Sequence, residues 1–213
     1  MLKINFPDEE TEHEADALAL WNGVGAVRLL DRVDEHHALL VERCRPGTQL
    51  WELPDDEATE FAADVLERLW VSAGEPFRRL EDVASHWVEE LPRKQLDRKL
   101  VERAVSFLRG AGPTQRESVV LHQDLHGGNV LLSERGWLAI DAKPLVGERE
   151  FDVASLIRDR RPTTKKQMER RLDYLVERLE LDPERTRGWA IAHALAWNGD
   201  PDMIDCARYL SAA

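Results

Sequence analysis

The stretch VVLHQDLHGGNVLL, residues 119–132, places an aspartate, two histidines, two glycines and an asparagine between two apolar runs. Short apolar runs bounded by polar residues and glycines are typical of buried strands joined by a loop. A loop so rich in hydrogen-bonding groups indicates one of two sites. It either binds a metal ion directly, or it positions a hydroxyl group beside a metal-bound phosphate.

The first possibility is a metal site made of histidines. His122, Asp124 and His126 alternate as H-x-D-x-H, and zinc and other first-row metals favour these residue types as ligands. Side chains at positions i, i+2 and i+4 converge only in an irregular loop, and the sequence offers His193 as a further ligand but no second cluster. A metal-dependent hydrolase that uses these three loop residues therefore stays an alternative.

The second possibility is phosphoryl transfer. Asp124 and Asn129 stand in the D-x-x-x-x-N spacing of the protein-kinase catalytic loop. In that loop the carboxylate accepts a hydroxyl proton, and the amide five residues later ligates Mg²⁺. A second carboxylate must hold the metal from an adjacent strand, and Asp141 ends the run WLAID one hairpin later. The competing interpretation is a polar turn in which Asp124 caps the amide of Gly127 or Gly128.

The rest of the chain is strand-rich at its start and helical beyond. Strands are predicted in LKINF, AVRLLDRV and HALLVER, with a linker at RPGTQL. A helix from Asp8 to Trp21 would carry Glu14 on a largely apolar face. Later helices are predicted over 55–73, 78–90 and 94–109. The pattern predicts an α+β fold with lobes at residues 1–50 and 51–213, the second containing the hairpin with the polar loop.

Two segments resemble the aminoglycoside phosphotransferase family. HQDLHGGNVLL and AIDAKPLVGEREFDVASLIRD look like its catalytic and metal-binding segments. EHEADALALWNGVGAVRLLD and HALLVERCRPG are similar to its aminoglycoside and hydroxyurea resistance kinase branch, which includes streptomycin 6-kinases. The resemblance implies a protein-kinase-like two-lobe fold and ATP and Mg²⁺ as cofactors. It also implies phosphorylation of a hydroxyl group on a small molecule, with an aminoglycoside such as streptomycin as the first substrate class.

The resemblance also implies roles for individual residues. These are Asp124 as the catalytic base, Asn129 and Asp141 as Mg²⁺ ligands, Lys3 as a contact to the α- and β-phosphates paired with Glu14, the backbone of Glu42 and Cys44 as the adenine contact, His122 as a support of the loop, and Asp152 as a support of the metal-bearing loop. Each has a plainer alternative. Lys3 alone fits a solvated strand lysine, Glu10 and Glu12 compete as its partner, and Asp152 could cap the next helix.

The chain departs from the family at its start. The resemblance implies two strands, joined by a glycine-rich turn over the phosphates, before the lysine strand, yet the lysine is residue 3. No G-x-x-x-x-G-K occurs, and WNGVGAV offers only Gly23-x-Gly25. We expect either a true start upstream of Met1 or a natural remnant, and weak ATP binding by residues 1–213 alone. A remnant would be a catalytically impaired module for weak nucleotide binding or for interactions.

Composition restricts the partners and the location. The 213 residues are 43% hydrophobic and 33% charged, and no run approaches the roughly 18 apolar residues of a membrane span. A net charge of −12 argues against nucleic acid or an anionic membrane as a partner and fits a cationic small substrate, although solubility explains it equally. The first residues lack a signal-peptide pattern, and two cysteines without framework spacing are typical of the cytoplasm. The oligomeric state cannot be predicted from the sequence.

Overall fold

The structure, a computed structural model, describes residues 1–115, 118–159, 163–197 and 200–212. Within these ranges the strands are β1 (Leu2–Ile4), β2 (Leu29–Val33), β3 (Ala38–Val41), β4 (Arg78–Arg79), β5 (Val119–Leu121), β6 (Val130–Ser133), β7 (Gly136–Ala139) and β8 (Leu145–Gly147). The α-helices are α1 (Glu14–Trp21), α2 (Asp55–Leu69), α3 (Leu80–Glu90), α4 (Arg98–Ala111), α5 (Arg149–Asp152), α6 (Ala154–Ile157), α7 (Lys165–Leu179), α8 (Pro183–Ala196) and α9 (Pro201–Ser211).

The chain forms two compact units, and each is built from two separate segments. The first unit contains Met1–Phe77 and Val119–Val146, and the second contains Arg78–Ser118 and Gly147–Ala213. The first unit thus joins the N-terminal strands to the polar loop and its hairpin. The units group residues differently from the predicted lobes, whose boundary near residue 50 stays a prediction.

The N-terminal sheet orients Lys3. It has the antiparallel order β1-β3-β2, with Lys3 paired in register with Leu39. Side chains alternate between the two faces of a strand, so Lys3 and the buried Leu39 share one face, while Leu2 and Ile4 lie exposed on the other. A 3₁₀ turn over Asp34–His36 joins β2 to β3. The sheet therefore holds the Lys3 ammonium on its covered face.

Helix α1 is shorter than the sequence pattern predicts. The prediction of a helix from Asp8 is wrong, because the structure has turns before Glu14. The carbonyl of Asp8 accepts a hydrogen bond from the Thr11 amide at 3.1 Å, and short polar side chains in this segment favour such local turns over a helix. At the other end, Trp21 Nε1 donates to the carbonyl of Leu69 at 2.8 Å, which fixes α1 against α2.

The predicted hairpin after the polar loop is confirmed. Strands β6 and β7 pair from Val130 with Ala139 to Ser133 with Gly136, and Gly136 has a φ of 93° where the two-residue turn meets β7. At the open end of the hairpin, the Ile140 amide donates to the carbonyl of Asn129 at 2.9 Å. This register pairs Asn129 with Ile140, so that Asn129 lies next to the residue before Asp141 although it is twelve positions away from Asp141 along the chain.

The helices after residue 54 follow the sequence prediction closely. Helices α2, α3 and α4 match the predicted ranges to within a few residues, and α4 continues through Gly110 to Ala111. In the second unit, Arg185 of α8 pairs with the buried carboxylate of Glu148 at 2.7 Å, and Trp189 Nε1 donates to the same carboxylate. Burial raises the pKa of Glu148, although both partners favour its charged form. Across the described ranges, no helix is long and apolar enough to cross a membrane.

Candidate active site

Lys3 joins two carboxylates at the centre of the candidate site. Its ammonium donates to Glu14 Oε1 at 2.7 Å and to Oε2 at 2.6 Å, and it lies 2.6 Å from Asp141 Oδ1. The Glu14 side chain is only 2% exposed and accepts a further hydrogen bond from Asn5 Nδ2 at 2.7 Å. A carboxylate buried to this extent needs such partners, because burial of an unpaired charge is costly. The predicted Lys3–Glu14 pair is confirmed, and Glu10 instead pairs with Lys143 at 3.1 Å.

The polar loop brings the candidate base and the candidate metal ligand together. Asn129 Nδ2 donates to the carbonyl of Asp124 at 3.0 Å, and the Asn129 amide donates to the carbonyl of His126 at 2.8 Å. The side-chain oxygen of Asn129 makes no hydrogen bond within the described part of the chain, so it is available to a cation. The Gly128 amide donates to His126 Nδ1 at 3.0 Å, so Asp124 does not cap it.

Asn129 and Asp141 offer oxygen ligands that fit Mg²⁺. Asp141 follows β7 with a φ of 58°, a left-handed conformation that aspartate adopts more readily than most residues, and its side chain is 49% exposed. Mg²⁺ is usually held by one or two carboxylates together with waters and substrate phosphates. One carboxylate and one amide oxygen at the open end of a hairpin match that requirement, and neither is a soft ligand of the kind zinc favours.

The two loop histidines have structural partners. His122 is fully buried, its Nε2 lies 2.9 Å from the carbonyl of Ile140, and its ring stacks on Trp21. His126 accepts the Gly128 amide and stacks on Trp51 with 5.5 Å between ring centroids. No group of three or more His, Cys, Asp or Glu side chains in the described ranges is placed to hold a metal ion. Within the described ranges the structure therefore does not group His122, Asp124 and His126 as the three-ligand metal site that the hydrolase alternative needs.

Burial of His122 predicts a specific pH dependence of stability. Burial lowers its pKa from 6.5 to about 4, so the folded chain keeps this ring neutral where the unfolded chain protonates it. The free energy of unfolding therefore decreases as the pH falls from about 6.5 to about 4, by up to roughly 3 kcal/mol at the lower end. We expect His122→Gln to flatten the slope of the unfolding free energy in urea between these pH values. The matched variant His86→Gln, at an exposed histidine, should keep the slope of the parent protein. An unchanged slope in His122→Gln would contradict the assignment.

A tryptophan that sequence reasoning missed supports the loop. Trp51 is 41% exposed, yet its amide donates to the carbonyl of Gly127 at 3.2 Å and its Nε1 donates to Gln49 Oε1 at 2.6 Å. A Cβ on Gly128 would lie 2.8 Å from the Trp51 ring and 2.9 Å from the His126 ring. The glycine pair in the loop was the available signal, because glycine often marks a close approach of the backbone to another group.

The packing of Trp51 against Gly128 predicts that Gly128→Ala is harmful. The added methyl group must displace an aromatic ring or the loop backbone one residue before Asn129, and overpacking of this kind typically costs about 1–3 kcal/mol. The matched variant is Gly110→Ala in helix α4, where a Cβ meets no atom within 4 Å. It should stabilise the protein by about 0.4–1 kcal/mol. Urea unfolding measures both, and a neutral or stabilising Gly128→Ala would show that the loop is not tightly packed.

The segment proposed to contact adenine has one acceptor and one donor without a hydrogen-bond partner among the described residues. The Glu42 amide donates to the carbonyl of Arg28 at 2.9 Å, and Arg135 Nε donates to Glu42 Oε1 at 2.9 Å. Hydrogen bonding to Arg135 lowers the pKa of the Glu42 carboxyl, and burial raises the pKa of the Cys44 thiol. Neither the carbonyl of Glu42 nor the amide of Cys44 has a hydrogen-bond partner among the residues the structure describes. One acceptor and one donor therefore lie two residues apart.

Comparison with known proteins places this geometry in a family. Residues 1–200 match the family model described as aminoglycoside/hydroxyurea antibiotic resistance kinase. The chain is 39% identical to a streptomycin 6-kinase of Streptomyces griseus over 209 residues, which cover 91% of this chain and 68% of that protein. It is 34% identical to a streptomycin 3''-kinase of Klebsiella pneumoniae, with coverages of 93% and 77%. It is also 36% identical to a hydroxyurea phosphotransferase of Kitasatospora aureofaciens, with coverages of 91% and 59%.

Solved structures confirm the predicted fold class. The chain superposes with a TM-score of 0.68 on an aminoglycoside phosphotransferase, APH(4)-Ia, in a ternary complex with ADP and hygromycin B. The identity is 16%, and the match covers 99% of this chain and 84% of that chain. The choline kinase LicA from Streptococcus pneumoniae also gives 0.68, at 14% identity and with coverages of 100% and 85%. The fold is the protein-kinase-like α+β fold that these enzymes share.

Proposed function

Since the chain belongs to the aminoglycoside/hydroxyurea antibiotic resistance kinase family, we propose that it transfers the γ-phosphoryl group of ATP to a hydroxyl group of a streptomycin-like aminoglycoside. The observation that carries the proposal is the Lys3 ammonium, which contacts Glu14 and Asp141 at the same time. A lysine paired with a helix glutamate, beside a metal-binding aspartate, is the arrangement that active protein kinases require.

Asp124 would act on the acceptor. Its carboxylate, on the loop that Asn129 closes, orients the acceptor hydroxyl and takes its proton as the oxygen attacks the γ-phosphorus. The new oxygen–phosphorus bond forms as the bond to the ADP oxygen breaks. The transferred group needs little covalent help from the protein, so positioning and electrostatic stabilisation supply most of the rate enhancement.

Asn129 and Asp141 would hold Mg²⁺, and Lys3 would bind the α- and β-phosphates. When bound, the metal neutralises charge on the phosphate oxygens. The side-chain oxygen of Asn129 is free for this role because its nitrogen is already committed to the carbonyl of Asp124. Lys3 reaches both the metal ligand Asp141 and the buried Glu14, which is the position a phosphate-binding ammonium needs.

Glu42 and Cys44 would bind adenine. The carbonyl of Glu42 can accept from the exocyclic amino group, and the amide of Cys44 can donate to the neighbouring ring nitrogen. The side-chain pair between Glu42 and Arg135, with 2.9 Å between Oε1 and Nε, fixes this segment to the β6–β7 hairpin. The hairpin also carries the residues beside the metal site, so the two ends of the nucleotide would be bound by one connected framework.

A cationic aminoglycoside is the substrate class that best fits the chain. The similar proteins are named for streptomycin and hydroxyurea, and the net charge of −12 favours a cation over an anion. Cys44 and Cys206 form no disulfide bond with each other, in keeping with a reaction in the cytoplasm, where ATP is available.

The direct test is product formation. The protein is incubated with Mg²⁺, ATP and either streptomycin, hygromycin B or hydroxyurea, and mass spectrometry follows the gain of one phosphoryl group. We expect streptomycin to be phosphorylated at high ATP concentration, because residues 1–213 alone are expected to bind ATP weakly, and the reaction to stop when Mg²⁺ is chelated. If the protein binds Mg·ATP by calorimetry but modifies none of the three compounds, the chain is a nucleotide-binding module rather than a kinase of this class.

A further inference from the structure

A second lysine lies at the candidate active site. The Lys143 ammonium is 3.1 Å from Glu10 Oε2 and 3.6 Å from Asp124 Oδ2, and the Lys143 amide donates to the carbonyl of His122 at 3.0 Å. We propose that Lys143 is a further catalytic residue, whose ammonium contacts the transferred phosphoryl group beside Asp124. This inference rests on the proposed function and gives a role to a residue to which the sequence motifs assigned none.

The distances favour a contact with the phosphoryl group. At 3.6 Å from Asp124 Oδ2, the ammonium is attracted to the carboxylate but lies beyond hydrogen-bond length from this oxygen. The acceptor hydroxyl must lie within hydrogen-bond reach of the Asp124 carboxylate. The phosphorus atom that this hydroxyl attacks then lies roughly 3–3.5 Å from the hydroxyl oxygen. A lysine ammonium on its flexible four-carbon stem can span the carboxylate and the phosphoryl oxygens from this position.

The balance of charge supports the same role. The ion pairs of the described residues place the carboxylates of Glu10, Glu14, Asp124 and Asp141 around the two ammonium groups at this site. Lys3 is paired with Glu14 and Asp141, whereas Lys143 is the cation that the described ion pairs place next to Asp124. The equatorial oxygens of the phosphoryl group carry the negative charge of the transition state. Without the Lys143 ammonium, these oxygens would approach the negative carboxylate of Asp124 with no neighbouring positive charge to offset the repulsion.

Glu10 is the residue that positions Lys143. Its Oε2 pairs with the Lys143 ammonium. Its Oε1 lies 3.5 Å from Nε2 of Gln123, which is the residue before Asp124. Glu10 therefore connects the turn before α1 to Gln123 and Lys143, which both lie next to the candidate base Asp124. This placement also explains why Glu10 does not compete with Glu14 for Lys3. Loss of the Glu10 charge should let Lys143 sample more positions without removing its ammonium.

The test uses a mimic of the transferred group. Aluminium fluoride binds with Mg·ADP as a planar anion in the place of the phosphoryl group, so it reports contacts that ADP alone does not make. We expect Lys143→Met to bind Mg·ADP like the parent protein but to lose most of the added affinity that aluminium fluoride brings. Its kcat should fall by ~10²–10³-fold, as for the loss of one transition-state donor, with a small change in KM for the aminoglycoside.

Matched variants make the test specific. Lys143→Arg keeps the charge and should recover a large part of the aluminium fluoride effect, while Glu10→Gln should lower kcat less than Lys143→Met. Lys165→Met, at a helix lysine whose side chain is 40% exposed, should behave like the parent protein. If Lys143→Met keeps the full aluminium fluoride effect, the inference is overturned while the proposed function stands. If the parent protein shows no binding even at a high Mg·ADP concentration, where the expected weak affinity would still be detected, both are overturned.

Discussion

Asp124→Asn should abolish measurable phosphoryl transfer while Mg·ATP binding stays nearly unchanged. The substitution keeps the size of the side chain and leaves the backbone carbonyl that accepts Asn129 Nδ2 at 3.0 Å, so the loop should remain closed. The amide cannot take the proton of the acceptor hydroxyl, and general-base catalysis typically contributes ~10²–10⁴-fold to a rate. The measurements are ADP release in the presence of streptomycin and calorimetric titration with Mg·ATP.

A control separates the lost base from a change in net charge. Asp205→Asn removes one negative charge from an exposed ion pair with Arg208, and such pairs contribute little to stability. It should keep the turnover of the parent protein. If Asp124→Asn turns over within about threefold of the parent protein, where a lost general base should cost far more, Asp124 is not the base.

The sequence predicted those parts of the site that depend on local geometry. The spacing of Asp124 and Asn129 within one loop fixes their contact, and a single hairpin turn brings Asp141 alongside. Recognition of Lys3 and Glu14 required more, because a strand lysine and a helix glutamate meet only through the tertiary fold. The family resemblance supplied that pairing, and the structure confirms it at 2.6 Å. Residue spacing thus predicts local contacts well and distant contacts only with added information.

The features that were missed depend on contacts between distant segments. Trp51 supports the loop through a ring contact with His126, 75 positions away, and its own neighbours in the sequence carry no sign of that contact. Lys143 approaches Asp124 because its backbone is bonded to the carbonyl of His122. The start of α1 was misplaced for a different reason. The spacing of Glu14, Leu18 and Trp21 says nothing about residues 8–13, which are all polar, and hydrogen bonds that the amides of Glu10 and Thr11 donate to Asp8 stabilise turns there.

Asp141→Asn should raise the Mg²⁺ concentration needed for ATP binding, and Asn129→Ala should do so to a smaller extent. Asparagine tolerates the left-handed conformation of residue 141, with its φ of 58°, so the first substitution removes charge without adding backbone strain. Removing a residue that only hydrogen-bonds to a metal ligand typically lowers metal affinity by ~10–100-fold. Removing the charge of a direct ligand, as in Asp141→Asn, should lower it at least as much. Asn129 contributes a neutral oxygen, so its removal should cost less.

Titration with ATP at several Mg²⁺ concentrations separates these effects from a general loss of nucleotide affinity. A variant that has lost only a metal ligand should approach the ATP affinity of the parent protein as Mg²⁺ is raised. A variant that has lost a phosphate contact should stay weak at every Mg²⁺ concentration. Asp141→Asn also removes the partner 2.6 Å from Lys3, so Lys3→Met is measured beside it as the example of a lost phosphate contact. If both Asp141→Asn and Asn129→Ala bind Mg·ATP like the parent protein at low Mg²⁺, the metal is bound elsewhere, and the roles of both residues must be reassigned.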